Sequence, residues 1–475
     1  MSRAVSLLVF LAPSVAIAAS EHGAGHGSGE PLGEAAPVAS VIPFAVMLLA
    51  IAILPLVAPR WWHHNLNRGI VSFILGAPVV VALFVLGYST DVLHILHEYV
   101  AFIVLLGALF VISGGIVVRG TLAGTPGVNT ILLAIGGVLA SFIGTTGAAM
   151  LLIRPLLRAN EHRKRKTHVV VFFIFLVANI GGLLTPLGDP PLFLGFLRGV
   201  PFPWTFSLAP EWAAMVAIIL VVFFVVDSAI FRKEDIATPG DLDETSVEHK
   251  EPIRIDGKVN FVFLGGVVAT IAICGAVKPM IGVQEASMLM MAFLSLWVTQ
   301  GDLRKDNGFS WEPIIEVAVV FAGIFATMIP ALAILNARGA ELGLTEPWQF
   351  FWATGILSSF LDNAPTYLTF TATASGLVHT DGNDLHQLLV CPGVIDGVCA
   401  AAGEANVRGT SLLRAISLGA VFMGANTYIG NGPNFMVKAV AEQAGVKMPS
   451  FFGYLIWSVA ILFPLFILVT FIFLV

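Results

Sequence analysis

Apolar segments alternate with short polar loops from residue 38 to the end of the chain. A helix needs about 20 mostly apolar residues to cross a bilayer, and short cytoplasmic loops carry an excess of Lys and Arg. The pattern predicts an all-α polytopic membrane protein with ten spans. They cover residues 38–57, 70–86, 100–118, 167–197, 208–231, 259–277, 286–299, 313–335, 412–444 and 451–475.

Two further apolar segments do not fit a full span. Residues 128–157 are interrupted at Gly144 to Gly147 and lead into a basic stretch, residues 158–166, which a full crossing would place outside. Residues 350–377 are interrupted at Asp362 to Pro365. A re-entrant hairpin keeps the basic stretch cytoplasmic. We therefore predict one hairpin that enters from the cytoplasmic side and a second that enters from outside.

The fourth and ninth predicted spans share a motif that breaks a transmembrane helix. Gly-x-x-Thr-x-x-Gly-x-x-Pro runs from Gly182 to Pro191 and again from Gly424 to Pro433. Gly and Pro interrupt the helical hydrogen bonds, and a bilayer tolerates the freed groups only where protein or a water-filled cavity satisfies them. Broken helices at matching places in two halves indicate the binding site of a secondary transporter.

The order of three spans, hairpin, broken span and closing span occurs twice. We predict transmembrane repeats of opposite orientation at 38–231 and 259–475, joined by a cytoplasmic linker at 232–258 that mixes both charge signs. Residues 1–19 are typical of a signal peptide, and the Gly-rich residues 20–37 of a flexible leader. An uncleaved first span is the alternative for residues 1–19. Under either interpretation the following segment begins on the periplasmic side of a bacterial inner membrane.

The composition excludes an ordinary soluble protein. The chain has 57% hydrophobic and 11% charged residues, whereas about a quarter of the residues in soluble proteins are charged. The net charge of −6 comes without a basic stripe, so nucleic acid is not an expected partner. The expected surroundings are a lipid bilayer and small ions.

Both hairpin tips and both breaks are predicted to meet near the midplane of the membrane. Helix C-terminal ends and unwound carbonyls there attract cations, while N-terminal ends attract anions. Hydroxyl and amide oxygens complete a cation shell. The candidate oxygen donors are Thr145, Thr146, Asn179, Thr185, Asn363, Asn426, Thr427, Asn431 and Asn434.

Two acids carry the functional prediction. Asp189 lies in the first break and Asp362 at the second hairpin tip, both far from either predicted membrane surface. A buried carboxylate costs several kcal/mol unless it is paired with a cation or protonated. We therefore predict that both acids bind Na⁺ and H⁺ in turn. Each Asp also stands in a good N-cap context, and capping is compatible with ion binding.

Outside this site, other charged residues and two cysteines carry predictions of their own. Glu316, near the cytoplasmic start of its helix, has either a structural or a proton-relay role. Asp227 is placed near a cytoplasmic span end, where its side chain reaches water. His94 and Glu98 are placed on a solvated face of an outer loop. Cys391 and Cys399 lie in a predicted external loop at 378–410, where a disulfide is chemically allowed.

These motifs make the chain similar to the ion transporter superfamily. Asn179-Ile-Gly-Gly together with the segment from Thr185 to Pro191 resembles the broken-helix motif of its arsenite, citrate and D-type sodium/proton antiporter branches. Asp362-Asn-Ala-Pro resembles the hairpin acid of the D-type antiporters. The resemblance implies two inverted five-span repeats, each with a re-entrant hairpin and a broken helix, and a homodimer. The hairpin tips differ from the Ser-Asn-Thr of the sodium/dicarboxylate branch.

The sequence thus predicts a transporter rather than an enzyme, without a cofactor. The leading hypothesis is exchange of Na⁺ or Li⁺ for H⁺ by alternating access. The alternative is a cation-coupled citrate or carboxylate transporter, which is disfavoured because two buried carboxylates repel a polyanion unless cations neutralise them. A non-transporting membrane scaffold has no use for costly unwound backbone.

Overall fold

The computed structural model describes residues 31–120, 122–234, 254–277, 280, 282–390, 394–395, 398–399 and 404–475. The predicted signal peptide lies outside these residues, as do most of the predicted leader and linker. Cys391 and the side chain of Cys399 also lie outside them, so the predicted disulfide stays a prediction.

Helices form nearly all of the described part of the chain. In the first half they are α1 (Leu32–Ala35), α2 (Ile42–Val57), α3 (Pro59–Trp62), α4 (Asn65–Val85), α5 (Ser89–Ser113), α6 (Pro126–Ile143), α7 (Thr145–Ala159), α8 (Thr167–Leu176), α9 (Pro190–Leu197) and α10 (Ala209–Phe231). In the second half they are α11 (Val259–Val277), α12 (Val283–Val298), α13 (Gly301–Asp306), α14 (Glu312–Arg338), α15 (Pro347–Phe360), α16 (Asn363–Leu377), α17 (Gln387–Val390), α18 (Glu404–Met423), α19 (Gly432–Gln443) and α20 (Phe451–Val469).

Short elements connect these helices. Two antiparallel ribbons, β1 (Val117–Arg119) with β2 (Arg254–Asp256) and β3 (Val394–Ile395) with β4 (Val398–Cys399), are the strands of the described residues. The 3₁₀ turns are Val38–Val41, Ile180–Leu184, Phe202–Leu208, Gly339–Leu342 and Gly424–Asn426, and a π-helical turn, Thr470–Leu474, extends α20.

Nine helical segments of the described chain are long and apolar enough to cross a membrane, so the predicted all-α polytopic fold is confirmed. Eight coincide with predicted spans, and the ninth is α6, the first arm of the predicted first hairpin. Helix α12, at the predicted span 286–299, is shorter but apolar. The nine segments are Val38–Val57, Asn65–Val85, Ser89–Ser113, Pro126–Ile143, Thr167–Leu184, Phe202–Phe231, Val259–Val277, Glu312–Leu342 and Phe451–Leu474.

The outer loop predicted at residues 88–99 is helical, which corrects the sequence interpretation. Helix α5 begins at Ser89 and continues without interruption to Ser113. The acidic residue Glu98 within this helix forms an ion pair with Arg198 inside the protein. Val92 and Ile95 on the same face are buried, so packing stabilises this segment as a helix.

Two segments predicted to be flexible contain packed structure. Helix α1, in the predicted leader, packs against α14, where a Cβ on Gly33 would lie 2.2 Å from the carbonyl oxygen of Ala333. Strand β2, at the end of the predicted linker, pairs with β1. The Arg119 Nε donates to Asp256 at 2.9 Å, which ties this ribbon together. Leader and linker are therefore anchored where they enter the membrane segments.

The first half of the first broken helix lies at the centre of the described structure. In the segment Thr167–Leu184, 89% of the residues are buried, against 22% in Val259–Val277. Helix α8 therefore lies among other helices, while α11 faces outward and has the exposed apolar surface of a lipid-facing span. A backbone break in α8 is thus surrounded by protein, which a bilayer requires.

The two halves repeat one hydrogen-bonding arrangement between hairpin and break. The Thr185 hydroxyl donates to the carbonyl of Ser141, and the Thr427 hydroxyl donates to the carbonyl of Ser359 at 2.5 Å. The Ser141 hydroxyl donates to the carbonyl of Gly181, and the Ser359 hydroxyl donates to the carbonyl of Met423. Each acceptor directly precedes the first glycine of its motif. Since the two serines precede their hairpin tips by the same three residues, the halves match residue by residue at this point.

The motif glycines allow each break to fold back on itself. A Cβ on Gly188 would lie 2.0 Å from the carbonyl oxygen of Gly182, and a Cβ on Gly430 would lie 2.6 Å from that of Gly424. Real Cβ atoms essentially never approach a heavy atom within 3.0 Å. The Gly-x-x-Thr-x-x-Gly spacing is therefore explained by a backbone contact that excludes any side chain.

Candidate functional site

Asp189 is where both hairpins and both breaks meet. Its Oδ1 accepts hydrogen bonds from the Thr145 hydroxyl and from the Asn431 amide, each at 3.1 Å. Its Oδ2 accepts from the Asn363 amide at 2.5 Å. Thr145 begins α7 at the first hairpin tip, Asn363 begins α16 at the second, and Asn431 lies in the second break. One carboxylate thus joins all four elements.

Local sequence explains why the Asp189 carboxylate is available to these partners. Asp189 precedes Pro190, and a residue before proline favours extended backbone, here φ −143° and ψ 142°. Although Asp189 is the N-cap residue of α9, its side chain makes no capping hydrogen bond. Asp362 behaves differently, since its carboxylate accepts from the Ala364 amide at 3.1 Å. The capping interpretation therefore applies to Asp362 and not to Asp189.

The charge environment of Asp189 is unusual for a buried acid. Asp189 is 1% exposed, and among the described residues no Arg, Lys or His side chain forms an ion pair with it. The N-terminal ends of α7, α9, α16 and α19 lie at this place, and their partial positive charge favours an anion. Hydrogen bonds and helix ends thus stabilise the carboxylate without a cationic side chain.

Three asparagines connect the two breaks beside Asp189. The Asn179 amide donates to the Asn434 oxygen at 2.7 Å, and the Asn434 amide donates to the carbonyls of Gly424 and Thr427. The Asn431 amide nitrogen also lies 3.2 Å from the Asn179 oxygen. Asn179 additionally donates to the Ile174 carbonyl at 2.8 Å, which competes with helical bonding and accompanies the end of α8 at Leu176.

One oxygen at this site has no partner. The side-chain oxygen Oδ1 of Asn363 is buried and accepts no hydrogen bond from the described part of the chain, although the amide of the same residue donates to Asp189. Leaving a buried acceptor unsatisfied costs roughly 1–3 kcal/mol. Such an oxygen beside a buried carboxylate has the properties of a ligand for a small cation.

The structure does not bring all of the predicted residues to Asp189. The hairpin serines bind three of them instead. The hydroxyls of Thr185 and Thr427 donate to serine carbonyls, and the Asn426 amide donates to the Ser359 hydroxyl at 2.9 Å. Thr146 is partly buried and forms no side-chain hydrogen bond within the described chain. The predicted residues that connect around Asp189 are Thr145, Asn179, Asn363, Asn431 and Asn434.

A buried ion pair on the predicted outer side is a second correction. Glu98 accepts from the Arg198 Nε and Nη2, both at 2.9 Å, and both side chains are almost completely buried. His94 lies 3.3 Å from the same carboxylate. The predicted solvated face is wrong for Glu98, because Arg198, 100 residues away in sequence, folds over it, whereas the His94 side chain is exposed. Nothing local to the helix indicates this pairing.

The prediction that Asp227 reaches water is also wrong. Its carboxylate is buried, 2.6 Å from Arg163 Nη2 and 2.8 Å from His168 Nε2. The Asn129 amide donates to it at 3.0 Å. These partners come from the start of α6, the loop after α7 and the start of α8. The cluster therefore fastens the base of the first hairpin to α10.

The donor set at Asp189 suits a hard cation rather than a transition metal. Within the described residues, no group of three or more His, Cys, Asp or Glu residues is arranged to hold a metal ion. Carboxylate, amide and hydroxyl oxygens surround Asp189, and hard cations prefer oxygen ligands. Residues that could hold a small cation are thus present.

This protein belongs to the class of membrane transporters. Its helical hairpins and broken helices converge on a buried polar site, as is typical of this class. A family described as "Putative citrate transport" matches residues 33–474, and the chain belongs to this family. Over 336 residues the chain is 25% identical to an uncharacterized transporter of Mycobacterium tuberculosis and to one of Mycobacterium bovis. Each alignment covers 68% of this chain and 72% of the relative.

Proposed function

We propose that this transporter exchanges Na⁺ or Li⁺ for H⁺ across a bacterial inner membrane by alternating access. The observation that carries the proposal is Asp189, a buried carboxylate that no cationic side chain neutralises in the described structure. A bound cation or a bound proton stabilises such a group further than its hydrogen bonds do, because burial penalises an unneutralised charge. Exchange between these two states at one carboxylate couples the flow of the ion to that of the proton.

The surrounding groups support this chemistry. The unpaired Asn363 oxygen and the Asp189 carboxylate supply ligands from the second hairpin and the first break. Asp362 adds a second carboxylate at the same hairpin tip, and this residue is more accessible than Asp189. In this mechanism a cation displaces protons from the two acids on one side of the membrane and leaves when they are reprotonated on the other.

Topology is part of the same proposal. The basic stretch at residues 158–166 supports a cytoplasmic base for the first hairpin, because Lys and Arg are enriched in short cytoplasmic loops. The matched hydrogen bonds of Thr185 and Thr427 support two related halves. With a periplasmic mature N-terminus, the two halves have opposite orientations in the membrane.

Cation-coupled transport of citrate or a related carboxylate is the second candidate, and the family description favours it. Bound cations at Asp189 and Asp362 would neutralise the acids, and the helix N-termini would then attract an anion. Without those cations the two carboxylates repel a polyanion. The two candidates therefore share one cation site and differ in whether an anion binds after it.

Proton flux in inside-out vesicles separates the two candidates. A respiration-generated pH gradient is reported by a dye, and Na⁺, Li⁺, K⁺ or citrate is then added. Antiport predicts that Na⁺ or Li⁺ alone collapses the gradient, and that Asp189→Asn and Asp362→Asn abolish the response at normal expression. A response that requires citrate as well supports the carboxylate candidate. A full response to Na⁺ in both variants would refute the proposed mechanism.

A further inference from the structure

The side chain of Asn431 occupies the place where three oxygens of the first break converge. Its amide nitrogen lies 3.1 Å from the Ala178 carbonyl oxygen, 3.2 Å from the Asn179 side-chain oxygen and 3.1 Å from Asp189 Oδ1. A carbonyl and a carboxylate cannot donate, so the group that faces them must be the NH₂. Asn431 is 2% exposed, and water therefore does not take its place.

An NH₂ group has two hydrogens, whereas three oxygens surround this one. Even with the Thr145 hydroxyl, which also donates to Asp189 Oδ1, the oxygens face only partial positive charges, and one of them belongs to an acid that no cationic side chain of the described residues pairs with. Three convergent oxygens, one of them anionic, are what a hard cation requires. An amide is the weaker occupant of such a position, because it carries only partial positive charge.

We propose that the Asn431 amide is an internal substitute for the transported cation, an inference that rests on the proposed cation transport. In the ion-free protein its NH₂ satisfies the oxygens of Ala178, Asn179 and Asp189. The cation binds to the same oxygens and displaces the amide. Because Asn431 belongs to the second break and the three oxygens to the first, ion binding replaces a direct contact between the two halves.

Competition between amide and ion makes a specific prediction for Asn431→Ala. The variant removes the donor that faces the Ala178 and Asn179 oxygens and leaves Asp189 Oδ1 with the Thr145 hydroxyl, so the ion-free protein is destabilised while the ion-bound protein is little changed. The midpoint of thermal unfolding is measured on purified full-length protein, with NaCl replacing choline chloride at constant ionic strength and pH. Loss of one hydrogen bond to a charged group predicts that half-saturation occurs at a Na⁺ concentration about tenfold lower than in wild type.

Asn426→Ala is the matched control. It removes an amide of the same break whose partner is the Ser359 hydroxyl and not Asp189. We expect an equal loss of stability with and without Na⁺ in this variant. Asn431→Val removes the donor without adding a charge, so it provides a second test if Asn431→Ala does not fold. It is expected to show a larger Na⁺ stabilisation than wild type.

Three results would overturn the inference, and they are distinct. Equal destabilisation of Asn431→Ala with and without Na⁺ would show an ordinary structural hydrogen bond. A higher half-saturating Na⁺ concentration in the variant would show that Asn431 binds the ion instead of competing with it. If neither Na⁺ nor Li⁺ raises the unfolding midpoint of wild type, and the Asp189→Asn variant gives the same result as wild type with and without these ions, the proposed function itself fails and the inference fails with it.

Discussion

The contact between the motif glycines gives the sharpest test of how the breaks form the site. In Gly430→Ala the new Cβ would lie 2.6 Å from the carbonyl oxygen of Gly424 and 2.8 Å from that of Ser358. Both neighbours are backbone oxygens, which cannot rotate away as a side chain can. The backbone segments of the break must therefore move apart by several tenths of an ångström to accept the new Cβ. In Gly188→Ala the Cβ would lie 2.0 Å from the Gly182 oxygen, which requires a displacement of about 1 Å or more.

These displacements predict a loss of transport that exceeds the loss of stability. Overpacking of this kind costs roughly 1–3 kcal/mol, which a protein of this size can survive. A misplacement of ~1 Å at the reacting groups costs about 10²-fold in rate. We therefore expect folded Gly430→Ala and Gly188→Ala proteins with at least tenfold lower ion-dependent proton flux in vesicles, and a larger effect for Gly188→Ala because its clash is more severe.

Gly432→Ala is the control within the same break. A Cβ at Gly432 meets no atom within 4 Å, and Gly→Ala at a position without strain stabilises a protein by about 0.4–1 kcal/mol through the unfolded state. This variant should transport as wild type does and unfold at the same or a slightly higher temperature. If Gly430→Ala and Gly432→Ala have the same flux per molecule of protein, the backbone contact does not position the site and the reasoning is wrong.

Three further predictions concern the surroundings of the site. Glu98→Gln leaves Arg198 buried without its counter-charge, so thermal unfolding should show that the free energy of unfolding falls by about 3–5 kcal/mol. The double variant Glu98→Gln with Arg198→Gln should recover part of this loss. Impermeant thiol reagents should label a cysteine at Asp384 in intact cells and not one at Glu161; equal labelling would contradict the inverted topology. The two loop cysteines should shift in mass only after reduction and alkylation, and free thiols in protein purified without reductant would exclude the disulfide.

Spans and breaks follow from local chemistry, which is why the sequence predicts them. Twenty apolar residues specify a membrane helix whatever surrounds it, and Gly and Pro interrupt helical hydrogen bonds through their own backbone. The predicted breaks at Gly182 and Gly424 are present accordingly. The first break begins earlier than the motif, after Leu176, because the Asn179 side chain competes for the Ile174 carbonyl. That competition depends on a rotamer that the sequence does not specify.

Long-range pairing of charges could not be predicted. Sequence reasoning places Glu98 on a solvated face of an outer loop and Asp227 near a span end, where its side chain can reach water. In the structure Arg198 and Arg163, distant in sequence, neutralise them inside the protein. Asp189 differs from both because no cationic side chain pairs with it in the described structure. The absence of a partner, which only the fold reveals, distinguishes the candidate site from the two structural ion pairs.

The match between the halves shows how the charge of the site is distributed. Aligning the two motifs places Asp189 opposite Asn431, and aligning the hairpin serines places Asp362 opposite Gly144. Each half thus contributes one acid, from the break in the first and from the hairpin tip in the second. A symmetric site with acids at both kinds of position would contain four, and four carboxylates in one buried place would repel each other too strongly to lose their protons. Two acids permit exchange, and the neutral Asn431 opposite Asp189 supplies the donor that keeps one of them stable when no ion is bound.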